Sequence, residues 1–289
     1  MPMPITHAFL KELGLLPHKS MGQHLLKDEA DAEAIIDALD IQPGDQILEI
    51  GAGCGVLTER ILERFGTEDK SVLVSVEIDN RYVDFLKKRF SNNKHFRVLK
   101  QDILNVNLSG LFDGSFKVVG NIPYYISSPI LRLLFNSHGF ISDIVIMLQK
   151  EVGMRVVSGP SDEYFGLLSI MRMLHYNASV VKDIDKTHFI PQPKVDSVVL
   201  KLQVHTPLVN ASDEKLLLRI LKYAFSARRK MLKNTLQPLG SKSDILKWCE
   251  DAGININDRA ENIGIDTWIK FLNVYKKSLY SSTTAYDGK

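Results

Sequence analysis

Short apolar runs alternate with helical stripes over the first two thirds of this chain. Residues 46–50 read as a strand, 56–65 as a helix, 72–76 as a β-branched buried strand, 81–90 as a helix and 96–99 as a short strand. Two further strands, 116–119 and 144–148, flank a helix at 129–135. Continuous apolar runs, rather than alternating ones, belong to strands buried on both faces. Such strands separated by helices predict an α/β fold with a mostly parallel sheet covered on both sides. A helical stripe at 165–176 follows, and 178–184 with 198–204 read as a closing pair of strands. After Thr206 only helical patterns recur, at 214–225, 242–251 and 267–276. A boundary near Pro207 therefore predicts two domains, 1–206 and a small all-helical 207–289.

The chain is long enough for a sizeable core, with 289 residues, 45% hydrophobic and 24% charged. A net charge of only +2 points to no particular partner. Two cysteines, Cys54 and Cys249, make neither a disulfide framework nor a zinc site, and no metal is expected. No apolar run suits a secretory signal or a membrane span, so a cytoplasmic location is expected. The small polar tail from Ser281 to Lys289 is expected to fray.

Three strand ends carry groups that suit a nucleoside. Gly51-Ala52-Gly53-Cys54-Gly55 follows the first strand and leads into a helix. Glycines there allow a tight turn and close approach of a ligand. The spacing differs from the dinucleotide fingerprint, and the loop has no Lys or Arg for a pyrophosphate. Glu77 ends the second strand, where a carboxylate can accept both hydroxyls of a ribose. Asp102 follows the third, placed to accept from an adenine amine. Each of these acids also suits a plain role, a solvated strand end or a turn cap. All three strand ends together favour a nucleoside whose tail is not phosphate.

The stretch Asn121-Ile122-Pro123-Tyr124-Tyr125-Ile126-Ser127 leaves the next strand. It supplies an amide, a stiffened backbone and an aromatic face, which suit a flat base pulled from a nucleic-acid stack. An ordinary turn into a helix, capped by Ser128 with Pro129 in its first turn, is the plainer reading.

With these motifs the chain resembles the class I S-adenosylmethionine-dependent methyltransferases, with a Rossmann-like seven-stranded sheet. Within them it is similar to the ribosomal RNA adenine dimethyltransferases of the kasugamycin-sensitivity type, which act on the small subunit. The resemblance runs from about Pro17 to Phe271. Besides Asn121-Ile122-Pro123-Tyr124, it rests on Lys19-Ser20-Met21-Gly22-Gln23-His24-Leu25-Leu26, on Phe189-Ile190-Pro191-Gln192-Pro193-Lys194-Val195-Asp196-Ser197, and on the run from Ala224 to Asn234 that contains Arg228-Arg229-Lys230. It implies an N-terminal segment, 1–30, that closes over S-adenosylmethionine. Gln23, His24, Leu26, Gly51, Gly53, Glu77, Asp102 and Asn121 are the implied cofactor residues. Asn121, Pro123 and Tyr124 form the implied catalytic motif, with Phe189 on the other side of the adenine and Lys194 beside it. The family usually has Asn then Phe where this chain has His24 and Leu25.

The chemistry suits these residues. Adenine N6 is a poor nucleophile, so orientation matters more than an added base. The Asn121 side-chain oxygen and the Ile122 carbonyl can accept the two N6 hydrogens, while Tyr124 and Phe189 sandwich the ring. A neutral amide also tolerates a monomethylated N6, which suits dimethylation, and the resemblance implies two adjacent adenines as the target. Arg219, Lys222, Arg229 and Lys233 recur at helical spacing, with Arg228 and Lys230 beside them, and predict a phosphate-binding stripe opposite Leu217, Leu218, Leu221 and Phe225. The expected partner is ribosomal RNA in the small subunit, met by a monomer away from membranes. Other readings are an enzyme for large-subunit RNA or DNA adenine, a non-catalytic RNA-binding assembly factor, and an NAD-dependent oxidoreductase.

Overall fold

The structure is a computed structural model that describes residues 5–18, 21–66 and 70–284. Nine strands lie along these residues: β1 (Leu25–Leu26), β2 (Gln46–Ile50), β3 (Val72–Glu77), β4 (Phe96–Lys100), β5 (Phe116–Asn121), β6 (Ile141–Gln149), β7 (Tyr176–Ile184), β8 (Phe189–Ile190) and β9 (Ser197–Val204). Seven form one sheet in the order β4-β3-β2-β5-β6-β9-β7. Strands β2 to β6 pair in parallel, and β9 runs antiparallel between β6 and β7. The central strands are apolar because both faces are covered: Ile47, Leu48, Val118, Val119 and residues 144–148 have no exposed surface. Strand order reverses between β2 and β5, and that switch opens a crevice beyond the strands' carboxyl ends.

The chain divides into two compact units. One comprises 1–154 and 176–204, the other 155–175 and 205–289. The helix Leu167–Met173, expected inside a 1–206 domain, thus belongs to the helical unit. Its reason is burial: Phe165, Ile170 and Leu174 pack with Leu217, Leu221, Trp268 and Phe271. Tyr176 instead opens β7, its ring 5.8 Å from Phe135.

Several local expectations change. The helix after β5 is Ser127–Asn136, and Ser128 does not cap it; Ser127 Oγ donates back to the Pro123 and Tyr124 carbonyls instead. The helix Ala211–Ala224 stops at Phe225, so residues 228–230 lie on the turn beyond it and not on one continuous helical stripe. The last helix, Ile265–Thr284, keeps its backbone through 281–284, where fraying was expected; 285–289 lie outside the described residues.

In the sheet unit, β1 pairs antiparallel with β8, Leu25 opposite Ile190 and Leu26 opposite Phe189. The Lys27 amide donates to the His188 carbonyl at 2.9 Å. A helix, Glu29–Leu39, begins directly afterwards, capped by Asp28. His188 Nδ1 and Lys182 Nζ reach the two oxygens of buried Asp31 at 2.6 and 2.7 Å. The N-terminal segment and the 186–196 loop are thereby joined edge to edge.

Candidate active site

A cavity of about 940 Å³, counting its open mouth, lies at the carboxyl ends of β2 to β5. Its floor is the glycine loop. Gly53 has a left-handed φ of +53°, which favours glycine, and a Cβ there would make the Leu25 side chain, 2.8 Å away at Cδ2, shift. Its amide donates to Glu77 Oε2 at 2.9 Å. Burial pushes the Cys54 thiol in the same loop up to about 12, so it remains an apolar filler.

Glu77 is held hard from the protein side. Its Oε1 accepts the Ile78 and Asp79 amides at 2.8 and 2.9 Å, besides the Gly53 bond on Oε2. Burial raises its pKa against these three donors. Of roughly four acceptor positions on a carboxylate, one is left. Glu77 keeps acceptor capacity on Oε2 for a ribose hydroxyl. Beneath it, Glu49 is almost fully buried on β2 and accepts the Thr58 and Ser75 hydroxyls at 2.6 and 2.5 Å. Burial, with the Glu77 charge adding to it, outweighs those bonds and raises the Glu49 carboxyl to about 7.

Asp102 caps the turn after β4, accepting the Leu104 amide at 3.0 Å on Oδ1, and also lines the cavity. Neither of its expected roles excludes the other. Among the described residues no Lys or Arg lines the cavity, whereas two carboxylates do.

The N-terminal segment forms one wall, with Lys19 and Ser20 outside the described residues. Gln23 lines the cavity, yet both ends of its amide serve to anchor the segment: Nε2 donates to Asp79 Oδ2 at 3.0 Å, and Oε1 accepts the His18 amide at 2.7 Å. Asp79 also caps the helix Asn80–Arg89 and pairs with Arg81 at 2.6 Å. Burial alone would raise the Asp79 carboxyl, but Arg81 and Gln23 prevail and hold it to about 2. Leu26, expected at the cofactor, is buried in the core beside Ile35 and Phe189 and does not line the cavity; Leu25 does. Successive strand residues face opposite ways, so only one of the two leucine side chains can face the cavity.

The same alternation decides Phe189. It packs into the core opposite Leu26, 2% exposed, and is absent from the cavity wall. The expected sandwich of a base between Tyr124 and Phe189 is not formed. Tyr124 meets His24 instead: the rings lie 5.3 Å apart between centroids at 24°. Tyr124 shares a 2.6 Å hydrogen bond with Ser197 Oγ, and burial raises its pKa, so the phenol stays neutral. Asn121 Nδ2 donates to the His24 carbonyl at 2.7 Å. That bond fixes the amide, and Oδ1 is left as its open acceptor. Ile122 lines the cavity beside it, its carbonyl receiving no hydrogen bond among the described residues. Pro123 lies in the same wall, and 62%-exposed Tyr125 stands there with its ring against Gly22.

Comparison with known proteins bears on this arrangement. The family model for ribosomal RNA adenine dimethylase matches residues 15–277. The chain belongs to that family. A ribosomal RNA small subunit methyltransferase A from Moorella thermoacetica is 36% identical over 273 residues, 90% of this chain and 93% of that protein. Its counterpart from Parabacteroides distasonis is 37% identical over 264 residues, 91% and 95% of the two chains. A dimethyladenosine transferase from Plasmodium falciparum, known as a crystal structure, superposes with a TM-score of 0.72 at 26% identity, covering 88% of this chain and 98% of that one. The fold is that of the class I methyltransferases, and the enzyme is an S-adenosylmethionine-dependent methyltransferase.

The remaining expected residues lie outside the cavity wall. Lys194 is exposed on the loop before β9. In the helical unit, Arg219, Lys222, Arg228, Arg229 and Lys230 are exposed, with Arg228 paired to Glu261 at 2.8 Å and Lys233 Nζ donating to Asn257. Among the described residues no helix is long and apolar enough to cross a membrane.

Proposed function

We propose that this chain transfers methyl groups from S-adenosylmethionine to N6 of two adjacent adenines in small-subunit ribosomal RNA during ribosome assembly. It acts as a monomer in the cytoplasm. One observation carries the reading: a cavity with two carboxylates and, among the described residues, no Lys or Arg sits beside an open amide oxygen and an aromatic ring.

The residues fit the cofactor. Gly51 and Gly53 give backbone access, Glu77 keeps one acceptor position for the ribose, and Asp102 keeps an oxygen for the adenine amine. The two acids favour a cationic ligand, which a dinucleotide diphosphate is not. Gln23, itself in the cavity wall, fastens the segment that forms that wall. When bound, S-adenosylmethionine supplies a sulfonium methyl that is already a strong electrophile.

The protein's own task is to present N6. Asn121 Oδ1 and the Ile122 carbonyl accept the two amine hydrogens and draw the nitrogen lone pair out of the ring. Pro123 stiffens the backbone between these acceptors and Tyr124, on whose face the base stacks. Holding the reactants in line can supply up to about 7–11 kcal/mol of barrier reduction in favourable cases. After one transfer a single hydrogen remains; the neutral Asn121 loses one bond without leaving a buried charge unmatched. Lys194 and the exposed cations at 219, 222 and 228–230 hold RNA phosphates.

Methyl incorporation into isolated small subunits, large subunits and DNA tests this. Label only in small-subunit RNA, found by mass spectrometry as dimethyladenosine at two neighbouring positions, is expected. Label chiefly in large-subunit RNA or DNA, or none despite cofactor binding, overturns it.

A further inference from the structure

The His24 side chain has no part in the chemistry above, yet it is tightly placed. Its imidazole lies on the Tyr124 ring, and Nδ1 donates to the Pro191 carbonyl at 2.6 Å. The ring therefore bridges the base-addressing loop and the 186–196 loop at the cavity wall. Carbon layers approach to roughly 3.5–4 Å, so a base between two rings needs them at least roughly 7 Å apart. At 5.3 Å between centroids, Tyr124 and His24 leave no room for one. Phe189 is buried and offers no second wall. The five-membered ring of a purine is itself an imidazole, a flat nitrogen heterocycle of the same kind as the group now covering Tyr124.

Resting on the reading that Tyr124 receives the target adenine, we infer that the His24 imidazole is a stand-in for that base. It covers the Tyr124 face and turns aside when the adenine enters. Only the side chain has to move. The His24 carbonyl, which takes the Asn121 amide at 2.7 Å, belongs to the main chain, so Oδ1 keeps its aim while the ring leaves. His24 is thus a positioning residue that competes with the substrate base. Its cost falls on capture of RNA and not on the transfer step.

Steady-state methylation of small subunits by wild type, His24→Ala, His24→Phe and Tyr124→Ala tests this, with cofactor titration calorimetry on each variant. His24→Ala is expected to lower the KM for subunits about 2- to 10-fold, the factor for one net hydrogen bond removed from a competitor, with kcat unchanged. His24→Phe keeps a ring on Tyr124 and is expected to show a KM above that of His24→Ala. A damaged fold cannot produce a lowered KM. If His24→Ala raises the KM and His24→Phe restores it, the ring clamps the base and the stand-in is overturned. It is equally overturned if His24→Ala leaves the KM unchanged while Tyr124→Ala raises it. Should Tyr124→Ala itself leave the KM unchanged with cofactor still bound, the base site proposed above fails, and the stand-in with it.

Discussion

Glu49→Gln should remove a pH dependence of stability that is built into the sheet. Glu49 sits under the glycine loop, 1% exposed, with the Thr58 and Ser75 hydroxyls both on Oε2. Its carboxyl rises from the ordinary 4.5 to about 7, because burial disfavours the charge. A carboxyl that titrates higher when folded favours the folded state fully below about pH 4.5, and that contribution is lost as pH rises through about 7. At about 1.4 kcal/mol for each pH unit, the loss between those limits is about 3 kcal/mol. A glutamine keeps an oxygen for both hydroxyls and does not titrate, so whatever its substitution costs is the same at every pH. The stability difference, variant minus wild type, should therefore climb by about 3 kcal/mol from pH 4.5 to 7. Urea unfolding followed by backbone circular dichroism at several pH values measures it. Trp248 and Trp268 both lie in the helical unit, so tryptophan fluorescence does not follow the sheet unit directly. A difference that stays flat with pH would refute the buried, protonated carboxyl.

Three further outcomes follow from the site. Tyr124→Phe should lose only the Ser197 bond, about 1 kcal/mol, whereas Tyr124→Ala should lose a stack of about 1–3 kcal/mol; equal effects on the KM for RNA would count against stacking. Asp79→Ala should cost about 1 kcal/mol as a lost helix cap and free Gln23, so calorimetry should show weaker cofactor binding and proteolysis should reach residues 21–24 faster. With the Asp79 carboxyl held to about 2, that anchor's contribution is whole above about pH 4 and fades only as pH falls through about 2. Reversing Arg229 and Lys230 to Glu should weaken RNA binding and lower its salt slope by about 1 for each phosphate no longer neutralised, leaving cofactor affinity unchanged; an unaltered slope removes these two residues from the RNA surface.

Much of this was readable from residue order. The central strands were legible because they are buried on both sides, and β2 coincides with the expected 46–50. The acids at 77 and 102 and the amide at 121 were legible because chemistry at the carboxyl ends of parallel strands follows from topology. What escaped was set by tertiary partners. Two-residue strands such as β1 and β8 carry no periodic signal, and their pairing alone decides that Leu25 and not Leu26 faces the cavity, and that Phe189 turns inward. The helix Glu29–Leu39 went unread although Asp28 marks its start. Gln23 was matched to the cofactor by motif, while its amide is spent on Asp79, fifty-six positions away. Ser197 stands in a quoted motif, but nothing in the sequence ties it to Tyr124. The stripe at 165–176 was seen as helical; which core it enters depends on Leu217 and Trp268.

The most direct measurement is single-turnover methyl transfer by Asn121→Ala with cofactor affinity determined on the same protein. Losing one pre-aimed polar group at a reacting centre costs about 10²–10³ in rate, and a loss of that size with the cofactor still bound is the expected result. Transfer at a near-normal rate would contradict the claim that Asn121 Oδ1 presents the adenine amine.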